Sequence, residues 1–124
     1  HHLDKQGLLT VRVHEQCQFP NLDTFKEFLN DNRHHYHSDT LSMGPLKMLQ
    51  DGSLGARTAA LTKPYPGTDK QGILLFTQEE LDQFVITAQA YNIPVAVHCI
   101  GDASMDVTLN SIEKAREKQL RNED

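Results

Sequence analysis

Two residues conflict in type with the segments that hold them. Lys47 stands inside GPLKML (residues 44–49), and His98 ends IPVAVH (residues 93–98) just before a Gly-Asp pair. An ammonium within an apolar strand is costly to bury unless it is paired or neutralised. An imidazole at a strand end is a ready metal ligand or proton carrier. Taken singly, each has an ordinary reading: a lysine whose stem lies on apolar surface while its amine reaches water, and a hydrogen-bonded core histidine. Taken together they stand at the ends of two successive strands, on the side of an α/β sheet where ligands bind.

Other candidates cluster behind these two. Asp51 follows Lys47, and Asp102 follows His98. Either carboxylate can hold a ligand's orientation or meet a substrate, and either can simply form the turn beside its glycine. Arg57 can grip a substrate carboxylate in bidentate fashion or pin its loop by an internal salt bridge. Gly52 to Gly55 can form a nest of N–H groups, but no GK[ST] follows to make a phosphate loop. His34, His35 and His37 with Asp39 invite a metal reading. Their irregular spacing on a polar connection fits a solvated loop with adventitious metal affinity better.

The elements that must position these groups follow from periodicity. Residues 8–17 alternate as a strand, with Leu9, Val11 and Val13 opposed to Thr10, Arg12 and His14. Asn21 or Asp23 caps a helix through Leu22, Phe25, Phe28 and Leu29 that ends near residues 30–32. Residues 41–49 form a second strand with Pro45 near its start. Residues 51–72, rich in Gly, Pro and Thr, make a long loop of the kind that carries function. Thr77 with Glu79 and Glu80 opens a helix through Ala88, with Asn92 at its C-terminal cap. Residues 93–100 are a third strand, apolar enough to be covered on both faces. Residues 104–117 close the chain as a helix with Val107, Ile112 and Ala115 inward. Strands alternating with helices give a parallel sheet with right-handed crossovers.

Composition narrows the partners. The 124 residues carry 12 Lys and Arg against 17 Asp and Glu, a net charge of -5, so nucleic acid and acidic membranes are not expected. Cys17 and Cys99 form no CxxC pair and read as reduced residues of a cytoplasmic protein. Apolar residues make up 38% of the chain, and even with glycine added they fall short of the usual 45–50% or so, which suggests a missing packing partner. Three strands leave two open edges, so the sheet is expected to be part of a larger one or of a homo-oligomer.

KMLQDGSLGARTAAL (residues 47–61), Pro64-Tyr65 and VHCIGD (residues 97–102) closely resemble the amidohydrolase superfamily, in the branch similar to N-substituted formamide deformylases. The likeness runs from Gly7 to Glu113 in the same order and spacing. It implies residues 1–124 are a single partial (β/α)8 TIM-barrel fragment of about three βα units, the third to the fifth. It further implies a metal-dependent hydrolase of an amide-like small molecule, with Lys47 carbamylated and bridging divalent ions, zinc by resemblance, and His98 as a further ligand. Asp51 and Arg57 would then face substrate, and Asp102 would orient a ligand. The family's HxH pair, a further histidine and an aspartate that accepts a proton have no counterpart here. Two ligands fall short of the three or four of a hydrolytic zinc site, so the chain alone is expected to be inert and to hold no stoichiometric metal. The competing reading is a stand-alone α/β binding domain that keeps the segment without its catalysis.

Overall fold

In a computed structural model, described for residues 1–122, the chain forms α1 (His2–Lys5), β1 (Val13–Cys17), α2 (Leu22–Asn30), a 3-10 turn (Arg33–His35), β2 (Leu41–Leu49), α3 (Gln78–Ala90), β3 (Val95–His98) and α4 (Asp102–Asn122). The strands make one parallel sheet in the order β1-β2-β3, with chain order equal to spatial order. The arrangement is that of a partial barrel of βα units.

Local chemistry explains most of the boundaries. Asn21 caps α2, its side chain accepting from Thr24 N. Thr77 and Glu80 form a reciprocal capping box at the start of α3. Asn92, just beyond α3, takes the left-handed conformation at φ 54° that stops a helix. The short α1 was not foreseen. It is held from outside, because Asp4 accepts from the hydroxyls of Tyr36, Ser38 and Thr40.

Both outer strands are shorter than the sequence suggests. β1 begins at Val13 because its partner begins at Leu41, so residues 8–12 have no strand to pair with. β3 ends at His98 because the N–H groups of Ile100 and Gly101 turn away to the carboxylate of Asp51. Nor is β3 covered on both faces, since all four of its residues are half-buried. The core holds Phe25, Phe28 and Leu29 of α2, Leu46 and Met48 of β2, Leu81, Phe84, Val85 and Ala88 of α3, and Ala115 of α4. This cluster lies against one side of the sheet, so the other side has no helix over it among the described residues. Leu46 and Met48 are 1% and 2% exposed, and each contributes roughly 1.5–3 kcal/mol by burial.

Pro45 is not near the start of β2 but at its middle, in a bulge. Glu15 pairs with Met43 and Cys17 with Leu46, so two steps along β1 oppose three along β2. Proline has no N–H to lose there. Gly44 is required beside it, since a Cβ would lie 2.7 Å from the Glu15 carbonyl.

The inward face of α4 also differs from expectation. Ala115 is buried and Val107 partly so, but Ile112 is 47% exposed, and Ser104, Thr108 and Ser111 are buried instead. Small polar residues let α4 approach α3 closely. Ser111 and Gln78 then donate to Asp82, whose other oxygen lies 2.6 Å from Lys114 Nζ. Burial alone would raise the Asp82 carboxyl's pKa, but Lys114, Ser111 and Gln78 together hold it below the usual range. No helix among the described residues is long and apolar enough to cross a membrane.

Candidate functional site

The bulge decides where Lys47 points. Leu41 and Met43 face the helices before it, and Leu46 and Met48 face them after it. Uninterrupted alternation would carry 41, 43, 45 and 47 on one face and drive Lys47 into the core. The extra residue reverses the parity and sends Lys47 to the uncovered face. There it is half-buried opposite Ala96, and its amine makes no hydrogen bond or ion pair among the described residues.

His98 pairs with Leu49 at the end of the next strand. In a parallel sheet paired residues share a face, so His98 lies beside Lys47 on the uncovered side. One strand spacing and two residue rises separate them, about 8 Å between backbones. The His98 Nε2 lies 3.0 Å from the Gly52 carbonyl oxygen. A carbonyl only accepts, so Nε2 carries the hydrogen and Nδ1 keeps its lone pair. The ring is about one-third exposed, and Asp51 Oδ1 lies 3.8 Å from Nε2.

Asp51 does not face the open side, contrary to the substrate-contact role expected of it. Its side chain is wholly enclosed. Oδ2 accepts from Ala60 N, Gly101 N and Ser104 Oγ, and Oδ1 from Ile100 N. Burial alone would raise its pKa, but the N–H groups of Gly101, Ile100 and Ala60, with the Ser104 hydroxyl, outweigh that and hold it below the usual carboxylate range. The clamp draws the backbones so close that a Cβ on Gly101 would lie 1.8 Å from the Ala60 carbonyl oxygen.

Asp102 is likewise not the carboxylate beside His98. It accepts from the N–H and hydroxyl of Thr62, which hold its pKa down, and so ties the long loop to the start of α4. Arg57 makes no ion pair among the described residues, so the internal salt bridge considered for it is not formed. It stands exposed at φ 55° on a loop closed by Ser53 and Thr58.

Gln50 went unnoticed in the sequence, yet it is fully buried and bonds both the N–H and the carbonyl of Phe76, fixing where the long loop returns. The one available signal was a buried-type position, directly after an apolar strand, filled by an amide. The histidine-rich turn does not converge. His34 packs among Phe28, His35 and Tyr91, while His37 bridges to Ser42. Cys17 and Cys99 are both free thiols. A cavity of about 500 Å³ opens between β1 and α2, lined in part by Glu15, Cys17, Phe28 and Met43; neither Lys47 nor His98 lines it.

Lys47 and His98 thus share one open face at adjacent strand ends. Among the described residues no group of three or more His, Cys, Asp and Glu is placed to hold an ion. What the described residues form is a three-stranded part of a sheet with one open face.

Comparison with known proteins agrees with this partial character. The model of the amidohydrolase family matches residues 1–124. YtcJ of Bacillus subtilis (strain 168), named as an amidohydrolase, is 37% identical over 86 residues, 67% of this chain and 16% of its own length. The protein LONG AFTER FAR-RED 3 of Arabidopsis thaliana is 34% identical over 77 residues, 61% of this chain and 13% of its own. An uncharacterized metal-dependent hydrolase from Pyrococcus furiosus superposes with a TM-score of 0.79 at 31% identity, over 93% of this chain and 24% of that one. Another from Pyrococcus horikoshii OT3 gives 0.77 at 32%, over 90% and 23%. The chain thus spans about a sixth of YtcJ and about a quarter of the solved hydrolases.

Proposed function

The chain belongs to the amidohydrolase family, and from that premise we propose that the protein carrying it hydrolyses a C–N bond in a small amide-like molecule, of the kind taken by N-substituted formamide deformylases. The carrying observation is the bulge-set placement of Lys47 and His98 on one open face at adjacent strand ends. A neutral Lys47 amine that added carbon dioxide and released a proton would become a carbamate, an anion able to hold a divalent cation. This chemistry suits an amine with no hydrogen bond or ion pair among the described residues. His98 offers Nδ1, its other nitrogen being engaged by Gly52. When bound, a divalent ion, zinc in this reading, lowers the pKa of a water and polarises the scissile carbonyl. In this reading Arg57, exposed on its closed loop, would take an anionic group of the substrate.

The test is hydrolysis of formamide and amide substrates by an enzyme of the relatives' length. Lys47→Ala and His98→Ala should each lower kcat/KM by about a hundredfold or more, the loss of several kcal/mol of charge stabilisation. Lys47→Arg should not rescue, since a guanidinium forms no carbamate. Near-normal turnover in Lys47→Ala overturns the reading. The 124 residues alone should show no turnover and no tightly held pair of ions, and either finding would contradict the incomplete ligand set.

A further inference from the structure

His98 is the last residue of its strand, whereas Lys47 stands two residues inside the end of β2. What fixes the ring comes from the neighbouring loop. The Gly52 carbonyl oxygen sits 3.0 Å from Nε2, and the preceding residue, Asp51, sends its carboxylate past the ring into the turn that follows β3. Four donors from three separate segments converge on that carboxylate: Ala60 N, Ile100 N, Gly101 N and Ser104 Oγ. The Gly52 end is closed independently, since its N–H bonds the Thr58 carbonyl and a Cβ on it would lie 2.0 Å from Thr58 Oγ1. The carbonyl that meets the ring therefore cannot move unless the Asp51 clamp releases.

We infer that Asp51 is a positioning residue of this site, acting through His98: by locking the loop after β2 to the turn after β3 it seats the Gly52 carbonyl on Nε2 and holds the ring in a single tautomer with Nδ1 bare toward the open face. Its negative charge, 3.8 Å from Nε2, favours the hydrogen on that same nitrogen. The importance of a fixed Nδ1 rests on the hydrolase reading above, whereas the state of the ring is measured without any metal or substrate. The two ideas therefore fail separately.

The experiment is long-range ¹H–¹⁵N correlation of the histidine rings in this 124-residue chain at about pH 8.5, where neutral imidazole dominates. His98 should be a single Nε2–H species with its ring proton slow to exchange. Asp51→Asn places an amide NH₂ against donors whichever way it is turned, and should raise the Nδ1–H population about five-fold or more. Ser104→Ala, which removes one donor from the carboxylate, should move it less in the same direction. Asp102→Asn, the same loss of charge at the neighbouring turn, should leave the ring unchanged although it frees Thr62. A wild-type ring that is mixed or Nδ1–H overturns the inference. So does an unchanged ring in folded Asp51→Asn or, should that variant not fold, in Ser104→Ala.

Discussion

Lys47 carries an amine with no hydrogen-bond or ion-pair partner among the described residues on a half-buried strand position, an arrangement that gives nothing back to folding. Lys47→Met keeps the stem and removes the charge. It should leave the chain as stable or up to about 1 kcal/mol more so, read as a higher urea midpoint at unchanged slope; a clear loss would mean that the amine has a structural task. The buried carboxylates behave oppositely. Asp51 and Asp82 are held below their unfolded values by the groups that donate to them. The unfolded chain therefore binds more protons, their contribution is complete above the unfolded pKa near 4, and it is lost as pH falls through the folded values. Thermal midpoints should fall as pH drops below about 4, and a midpoint that rose on acidification through that range would contradict both assignments. Lys47 and His98 were legible in the sequence because each is anomalous in its own strand. The tasks of Asp51 and Asp102 were not, because their partners Gly101 and Thr62 lie 50 and 40 residues away and most of the bonds come from backbone N–H groups, which every sequence has.

Elements were legible where side chains make their own boundaries. The cap at Asn21, the box at Thr77 and Glu80, and the left-handed stop at Asn92 are local chemistry. The limits of β1 and β3 are set by what lies alongside, which periodicity does not carry. α4 shows a related failure. A hydrophobic stripe was sought, but its buried face is made of Ser104, Thr108 and Ser111, chosen for closeness and for bonding Asp82 and the turn at Gly101. That turn is the tightest joint between elements. Gly101→Ala would press a methyl into the Ala60 carbonyl at 1.8 Å, and relief would require separating the two loops. A loss of about 3 kcal/mol or more in urea unfolding is expected. Gly55→Ala, with nothing within 4 Å of its Cβ, should stay within about 0.5 kcal/mol of wild type.

At the scale of the whole molecule the sheet is covered on one side, and neither β1 nor β3 has a strand on its outer edge among the described residues. Met105, Leu109 and Ile112 add an exposed apolar stripe along α4 at helical spacing. The chain by itself is therefore expected to self-associate, with sedimentation equilibrium at micromolar concentration giving a mass above one chain; a compact monomer would revive the stand-alone domain reading. Strand order equal to chain order has one more consequence, for how the structure comes apart. Each strand touches only its neighbours in sequence, so opening can proceed from one end without disturbing the other, as in a stack of repeats. The two ends are unequal. Asp51 ties the end of β2 to the turn after β3 with two backbone bonds and to the start of α4 with a hydroxyl, all buried or part-buried, whereas among the described residues the side-chain bonds between β1 and β2 are the exposed His14–Ser42 pair and the Cys17–Met43 sulfur contact. Native-state hydrogen exchange in low denaturant should then resolve two cooperative units: β1 amides at Val13 and Glu15, which face β2, exchanging through a cheaper partial opening, and those at Leu46 and Gln50 only through loss of the β2–β3 unit.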